Sequence, residues 1–261
     1  DNSGWIPVKN KTGTQIALRM DDSQLPKNKG WWKNLKKGLE ASYNQKIDNV
    51  LNIQLIWLED DIVVSEYFLN FMNESLNYYE NEEKVMSITG YAYPIKNLDI
   101  KESVVLTRLM QCWSWGSWKK KWKYFRKDKE MLSAFSKQMI HNFNFDGTNP
   151  NLWKQVQWNF NGKINTWAIF WYASIFLQKG LCVIPIEAYA INIGHDGSGH
   201  HTQPNNYFDN KISRNKRFIF TSDITENKIY FNRLKDFFKT IQPAFYLTAA
   251  YFLLRHFLGK N

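Results

Sequence analysis

This chain has little cysteine, no long apolar run and no internal repeat, and each shortage removes a class of protein. Its 261 residues include two cysteines, Cys112 and Cys182. Two are too few for a disulfide framework, and their spacing matches no zinc motif. A reducing compartment is the simplest expectation, with a single disulfide left open. No stretch reaches the roughly 20 apolar residues of a membrane-crossing helix. The opening residues, DNSGWIPVKN, lack a charged segment followed by an apolar one, so no secretory signal is expected there. No low-complexity tract occurs. Signatures of helix-turn-helix, zinc-finger and RRM modules are also missing, so nucleic acid is not the expected partner.

What is present describes a folded protein with an anionic ligand. Hydrophobic residues make up 44% and charged residues 22%, which suits a globular core in one or two domains. Aromatics reach 16%, with 12 Trp. Such rings stack on sugars or fill cores, and composition does not separate the two. The net charge is +10 and the isoelectric point about 9.4. That balance favours a nucleotide diphosphate or a phospholipid surface as partner.

The densest chemistry begins at residues 53–64, IQLIWLEDDIVV. The apolar run Ile53–Leu58 suits a strand buried on both faces, as in a parallel sheet. It stops at Glu59, Asp60 and Asp61. Three adjacent carboxylates at a strand end are costly unless something positive binds, and that end of an open α/β sheet is where ligands sit. A divalent cation carrying a phosphorylated substrate fits, because hard cations take carboxylate and phosphate oxygens together. A solvated acidic turn is the other reading.

Around this segment, Thr14–Arg19 reads as a short strand and residues 31–50 as a helix. Ser65 reads as an N-cap, followed by a helix with Phe68, Phe71, Met72, Leu76 and Tyr79 on one face. Val85–Thr89 and residues 181–186 read as strands. Strand, helix, strand at this spacing predicts a parallel βαβ unit. Residues 111–118, QCWSWGSW, read as an aromatic loop, and 119–127, KKKWKYFRK, as a basic helix face or an anion contact. Residues 152–178 are helical in pattern.

A second dense segment is NIGHDGSGHHT, residues 192–202. Gly194, Gly197 and Gly199 let backbone amides converge on an anion. Ser198 adds a hydroxyl and Asp196 a carboxylate. Three of the chain's five histidines, His195, His200 and His201, lie here. The acidic strand end would hold a metal, and this loop would complete the shell and grip a diphosphate. A mobile surface loop is the bland alternative.

Five segments in order carry a resemblance: LEDDIVVSEYFLNFMN (58–73), VMSITGYAYP (85–94), CWSWGSWKKKW (112–122), GKINTWAIFWYAS (162–174) and NIGHDGSGHHT (192–202). Together they resemble bacterial sugar transferases of the glycosyltransferase family 2-like group, with a GT-A fold, and more distantly N-acetylglucosaminyltransferase I. The resemblance covers roughly residues 33–202. It implies an α/β fold with a mostly parallel sheet flanked by helices, and a Mn2+- or Mg2+-dependent transfer from a nucleotide-sugar. Carried over, Asp61 is a metal ligand, with Glu59 and Asp60 near ribose and phosphates. His201 and Ser198 match the loop that meets metal and diphosphate, flanked by Gly197 and Gly199. Trp113, Trp115 and Trp118 would wall the sugar or acceptor pocket.

Two departures accompany it. Where the family carries Asp-Ser before Trp-Ala-Ile, this chain has Asn165-Thr166. An amide cannot take a proton from an acceptor hydroxyl, so Asp146 and Asp196 become the candidate bases. Upstream of the triplet, the usual opening strand and helix are not visible.

Beyond about residue 223, a C-terminal helical extension is expected. Residues 227–241 place Ile229, Tyr230, Leu234, Phe237, Phe238 and Ile241 on one face, until Pro243 breaks the pattern. Residues 244–258 are apolar nearly all round but contain Arg255 and His256, which suits an interfacial anchor or a subunit contact. The expectation is therefore a catalytic domain at 1–222 and helices at 223–261. It would be an inverting, cytoplasmic enzyme docked on the inner membrane face, with a glycan or lipid-linked acceptor and an oligomeric state left open. The alternative is a catalytically silent nucleotide-sugar or glycan-binding domain.

Overall fold

The strand β3, Gln54–Glu59, is flanked on both faces because its side chains alternate between two cores. Leu55 and Trp57 enter one and Ile56 the other. The computed structural model describes residues 6–10, 13–20, 54–59, 61–195 and 206–241. The predicted helix at 31–50 lies outside them. Before β3 come β1, Ile6–Asn10, and β2, Gly13–Met20. After it come β4, Ile62–Val64, and helix α1, Phe68–Tyr78. The chain continues through β5, Val85–Thr89, β6, Val104–Thr107, and β7, Trp115–Trp118. Helices α2, Lys119–Trp122, α3, Glu130–Ala134, α4, Lys137–Phe143, α5, Asn151–Phe160, and α6, Ala168–Leu177, follow. Then come β8, Leu181–Pro185, β9, Ala190–Asn192, and a helix α7 over residues 228–241.

The fold is α/β. Seven strands form one sheet in the order β1-β2-β3-β7-β5-β8-β6, and β4 pairs with β9 in a separate ribbon. A mostly parallel sheet was the expectation, and the observed sheet is mixed. β2 with β3 and β5 with β8 are parallel, while the other four pairings are antiparallel. The reason is β7. It returns between β3 and β5 and runs against both, so the β3–α1–β5 unit is spread by one strand. Residues 115–118 thus form a buried strand, not the predicted aromatic loop. The Gly-Ser pair inside it has weak strand propensity, and burial overrides it. Ser117 Oγ donates to Met86 O at 2.7 Å inside the sheet.

Even so, β2, β3, β5 and β8 point the same way, which gives the sheet a carboxyl edge and an amino edge. Alternation continues across it. Val85 and Ile88, Val104 and Leu106, and Leu181 and Val183 face the core under α1. Met86, Val105, Cys182 and Ile184 face the core under α4–α7. On α1, Phe68, Phe71, Met72 and Leu76 fall at helical spacing and are buried. Truncating any one of these side chains to alanine costs roughly 2–5 kcal/mol. Ser65 sits upstream of α1 as predicted, but its hydroxyl donates to Ser213 O at 2.7 Å and it precedes the helix by more than one residue.

Residues 206–227 run back over the molecule. Ser103 and Ile219 exchange hydrogen bonds at 2.8 and 2.9 Å, and Asn227 N reaches Leu106 O at 2.9 Å. Helix α7 then buries Tyr230, Phe231, Leu234, Phe238 and Ile241 in the same core as α6. Of its predicted apolar face, Ile229 stays exposed. In the basic run, Lys121 is 2% exposed, and its ammonium donates to Glu82 O and Glu83 O at 3.2 and 2.7 Å. Its charge therefore closes the loop before β5. Among the described residues, no helix is long and apolar enough to cross a membrane. The 244–258 segment lies outside them.

Candidate functional site

The carboxyl edge brings the end of the first dense segment, residues 61–64, beside residues 192–195, the start of the second. After β8, the chain crosses the ends of the parallel strands. Tyr189 N and Ala190 N both donate to Gly90 O, at 2.7 and 3.0 Å, where β5 ends. β9 then pairs antiparallel with β4, in the register Ile62↔Asn192, Val63↔Ile191, Val64↔Ala190. This short ribbon joins Asp61 to residues 192–195. Asn192 Nδ2 donates to Asp61 Oδ2 at 3.0 Å, and Ile193 N donates to Asp61 O at 2.9 Å. Asn192 Oδ1 accepts from Gly194 N at 2.7 Å. Glu59 ends β3 in a half-buried position nearby.

His195 follows as a wall. It is 8% exposed, edge-on to Trp113 at 5.1 Å and stacked with Phe208 at 5.5 Å. This apolar cage pushes the imidazole pKa below its ordinary value, opposed by the Asp61 and Asp209 carboxylates. Trp113 is itself fixed. Its ring meets Tyr91 at 4.7 Å, its carbonyl accepts from Thr89 Oγ1 at 2.7 Å, and its N–H donates to Gln111 Oε1 at 3.3 Å. Ser114, next in the chain, holds a left-handed φ of 53° at the start of β7. Such a backbone in a non-glycine residue is maintained against a cost of about 1 kcal/mol.

The other predicted site residues divide. Asp60, Asp196, Gly197, Ser198, Gly199 and His201 lie outside the described residues. Trp113 stands at the site, half-buried. Trp118 does not. It pairs with Gln54 at the amino edge, is 2% exposed, and its Nε1 donates to Leu76 O at 3.3 Å. It is a core residue, not a pocket wall. Trp115 is likewise buried, in a cluster with Trp57, Trp122, Trp167 and Trp171 at centroid distances of 5.2–6.3 Å. Neither ring has a face to offer a sugar.

Asp146 also departs from expectation. Its carboxylate receives Lys235 Nζ at 3.0 Å and lies 3.9 Å from Arg108. Arg108 follows Thr107, which pairs with Cys182 at the start of β8, so this cluster is at the amino edge, across the sheet from Asp61. Asn165 precedes α6. Its Oδ1 accepts from Lys127 Nζ at 2.8 Å, and Thr166 O accepts from the same ammonium at 2.9 Å. Burial lowers the Lys127 pKa from its usual value. Asn165 thus serves as an acceptor for a cation, and no proton-taking group stands at that position.

Asn192 was not singled out in the sequence. The available signal was an Asn two residues before Gly194, the pattern of a side chain bonding its own backbone two residues on. Its register against Ile62 had no signature, because triplets such as IVV and AIN carry no usable period.

Among the described residues, no group of three or more His, Cys, Asp or Glu is gathered to hold a metal ion. The donor chemistry around Asp61 nevertheless suits a hard cation. A carboxylate, a hard oxygen donor, is held by an amide donor and packed against Gly194 so closely that a Cβ there would lie 2.5 Å from Asp61 Oδ2. No protein-family model matches the chain, and no curated protein matches it.

Proposed function

We propose that the chain is a divalent-metal-dependent glycosyltransferase of GT-A type that moves a sugar from a nucleotide-sugar to a hydroxyl acceptor. The observation that carries the reading is the junction of Asp61 with residues 192–195 at the carboxyl edge. Residues 131 positions apart, Asp61 of the acidic segment and Asn192 at the start of the other, meet there. The GT-A assignment rests on the five ordered segments and on four of the seven strands sharing one direction.

Asp61 would hold Mn2+ or Mg2+ together with His201, Glu59 and Asp60 would stand near the ribose and phosphates, Ser198 would meet the diphosphate, and the cation would offset charge on the departing diphosphate. The chain's own residues shape the rest. Asn192 holds the Asp61 carboxylate, and Trp113 with His195 forms a rigid aromatic wall that excludes water from one side of the site. The proton of the acceptor hydroxyl needs a base. Asp146 is occupied by Lys235 and Arg108, and Asn165 is an amide, so Asp196 is the base of this proposal. An inverting transfer fits a single base. The acceptor is a glycan or lipid-linked glycan of the bacterial surface, met at the inner membrane face through the apolar residues 244–258 and the chain's positive charge.

One observation favours a second reading. The Lys127–Asn165 pair puts a neutral acceptor where the related pattern has a carboxylate, as expected of a silent nucleotide-sugar-binding domain. Release of nucleotide from a panel of nucleotide-sugars, measured in Mn2+ and in EDTA, separates the two. Metal-dependent release supports the enzyme. Binding without release supports the silent domain, and absence of both removes the nucleotide-sugar reading.

A further inference from the structure

The bonds around residue 192 define which atom is which. Asn192 Oδ1 faces the Gly194 N–H at 2.7 Å, so it must be the oxygen. The other branch of the amide, 3.0 Å from Asp61 Oδ2, is therefore the NH2 group. One side chain thus spans from the turn backbone to the carboxylate. The Asp61 backbone is tied as well, through Ile193 N at 2.9 Å. Both the main chain and the carboxylate of Asp61 are set by residues 192–193.

Gly194 completes the arrangement. Its φ is not in the left-handed region, where among the described glycines only Gly147 and Gly162 lie. The backbone therefore makes no demand for glycine. Clearance does. A Cβ would stand 2.5 Å from Asp61 Oδ2 and 3.2 Å from both Asp61 Cβ and Asn192 Oδ1. All three atoms belong to the Asn192–Asp61 unit, so a methyl group would dislodge the carboxylate.

We infer that Asn192 and Gly194 are positioning residues that aim the Asp61 carboxylate at a divalent cation, one by hydrogen bonding and one by leaving room. This rests on the reading of Asp61 as a metal ligand. Asn192 acts as an outer partner of a ligating carboxylate, a role whose removal typically weakens metal binding 10–100-fold.

The test is a Mn2+ titration by electron paramagnetic resonance on the full chain, with thermal melting measured without metal. Asn192→Leu keeps the branched side-chain shape and removes both bonds. Gly194→Ala leaves the β4–β9 ladder intact and fills the gap. Each is expected to bind Mn2+ at least about tenfold more weakly than the unsubstituted chain while keeping its melting temperature. Affinity within twofold in either folded variant overturns the assignment. So does loss of melting temperature in both, since the role would then be stability and not aim. Asp61→Asn distinguishes the inference from its premise. If that variant loses Mn2+ while both test variants keep it, only the positioning role fails. If the unsubstituted chain binds no Mn2+, the metal reading fails and takes this inference with it.

Discussion

At the amino edge of the sheet, Glu226 faces the Arg108 guanidinium through two donors, and Asp146 faces Lys235. At the carboxyl edge, Asp61 receives the amide of Asn192. The first arrangement sets each carboxylate against a cation and fastens α7 to β6. Arg108 also lies over the Phe231 ring of α7 at 4.5 Å. The second fixes the direction of a carboxylate through a neutral amide donor. Carboxylates thus face cations at the amino edge, whereas at the carboxyl edge the proposed function assigns one to ligand chemistry.

Four experiments break or sharpen this contrast. The largest effect is expected at the carboxyl edge. Asp61→Asn should reduce Mn2+-dependent stabilisation by a bound nucleotide-sugar to near zero, a loss of at least about 100-fold in affinity, or ~2.7 kcal/mol. Thermal shift with and without Mn2+ reads it, and an undiminished shift would remove Asp61 from the site. At the amino edge, Glu226→Leu should destabilise the fold by about 2–3 kcal/mol in urea denaturation, because Arg108 loses a charged two-point partner. Nucleotide binding should stay intact in that variant. Asp146→Asn should cost under ~1 kcal/mol, since its side chain is 39% exposed, and should leave turnover unchanged. A turnover loss with the fold preserved would return Asp146 to the chemistry.

The smallest effect belongs to an exposed pair. Arg126 hydrogen-bonds the Asp128 carboxylate at 3.0 and 2.9 Å and holds its pKa below the usual range. A carboxyl lowered in the folded state stabilises above its unfolded pKa of roughly 3.9 and loses that contribution as pH falls through the folded value. With both partners more than 40% exposed, the gain is about 0.5 kcal/mol. Asp128→Asn should show this deficit at pH 7, and the deficit should shrink in acid as pH falls through the lowered pKa of Asp128. A deficit that persists in acid would mean the side chain acts through packing.

The elements that could be read from the sequence are those with a clean period. β3, β5 and β8 are apolar runs buried on two faces, and α1 spaces its rings at three and four. Helix α7 was legible for the same reason. β7 was not, because a Gly-Ser pair between tryptophans is indistinguishable from a loop until β3 and β5 enclose it. Tryptophan was ambiguous in the same way. Trp113, Trp115 and Trp118 share one local composition, yet register sends Trp115 and Trp118 into opposite cores and leaves Trp113 beside His195. At the candidate site, Asp61 was visible as a cost, a carboxylate cluster ending an apolar strand. The partner Asn192 was invisible, because it is set by a three-residue ribbon that only the tertiary fold brings into register.

The proposed site requires a cation bridging Asp61 and a diphosphate. Calorimetric titration of the chain with the common nucleoside diphosphates, in Mn2+ and again in EDTA, measures that bridge directly. The expected result is saturable binding of at least one nucleotide in Mn2+ that disappears in EDTA. Binding of equal strength in both, or of none in either, would contradict it.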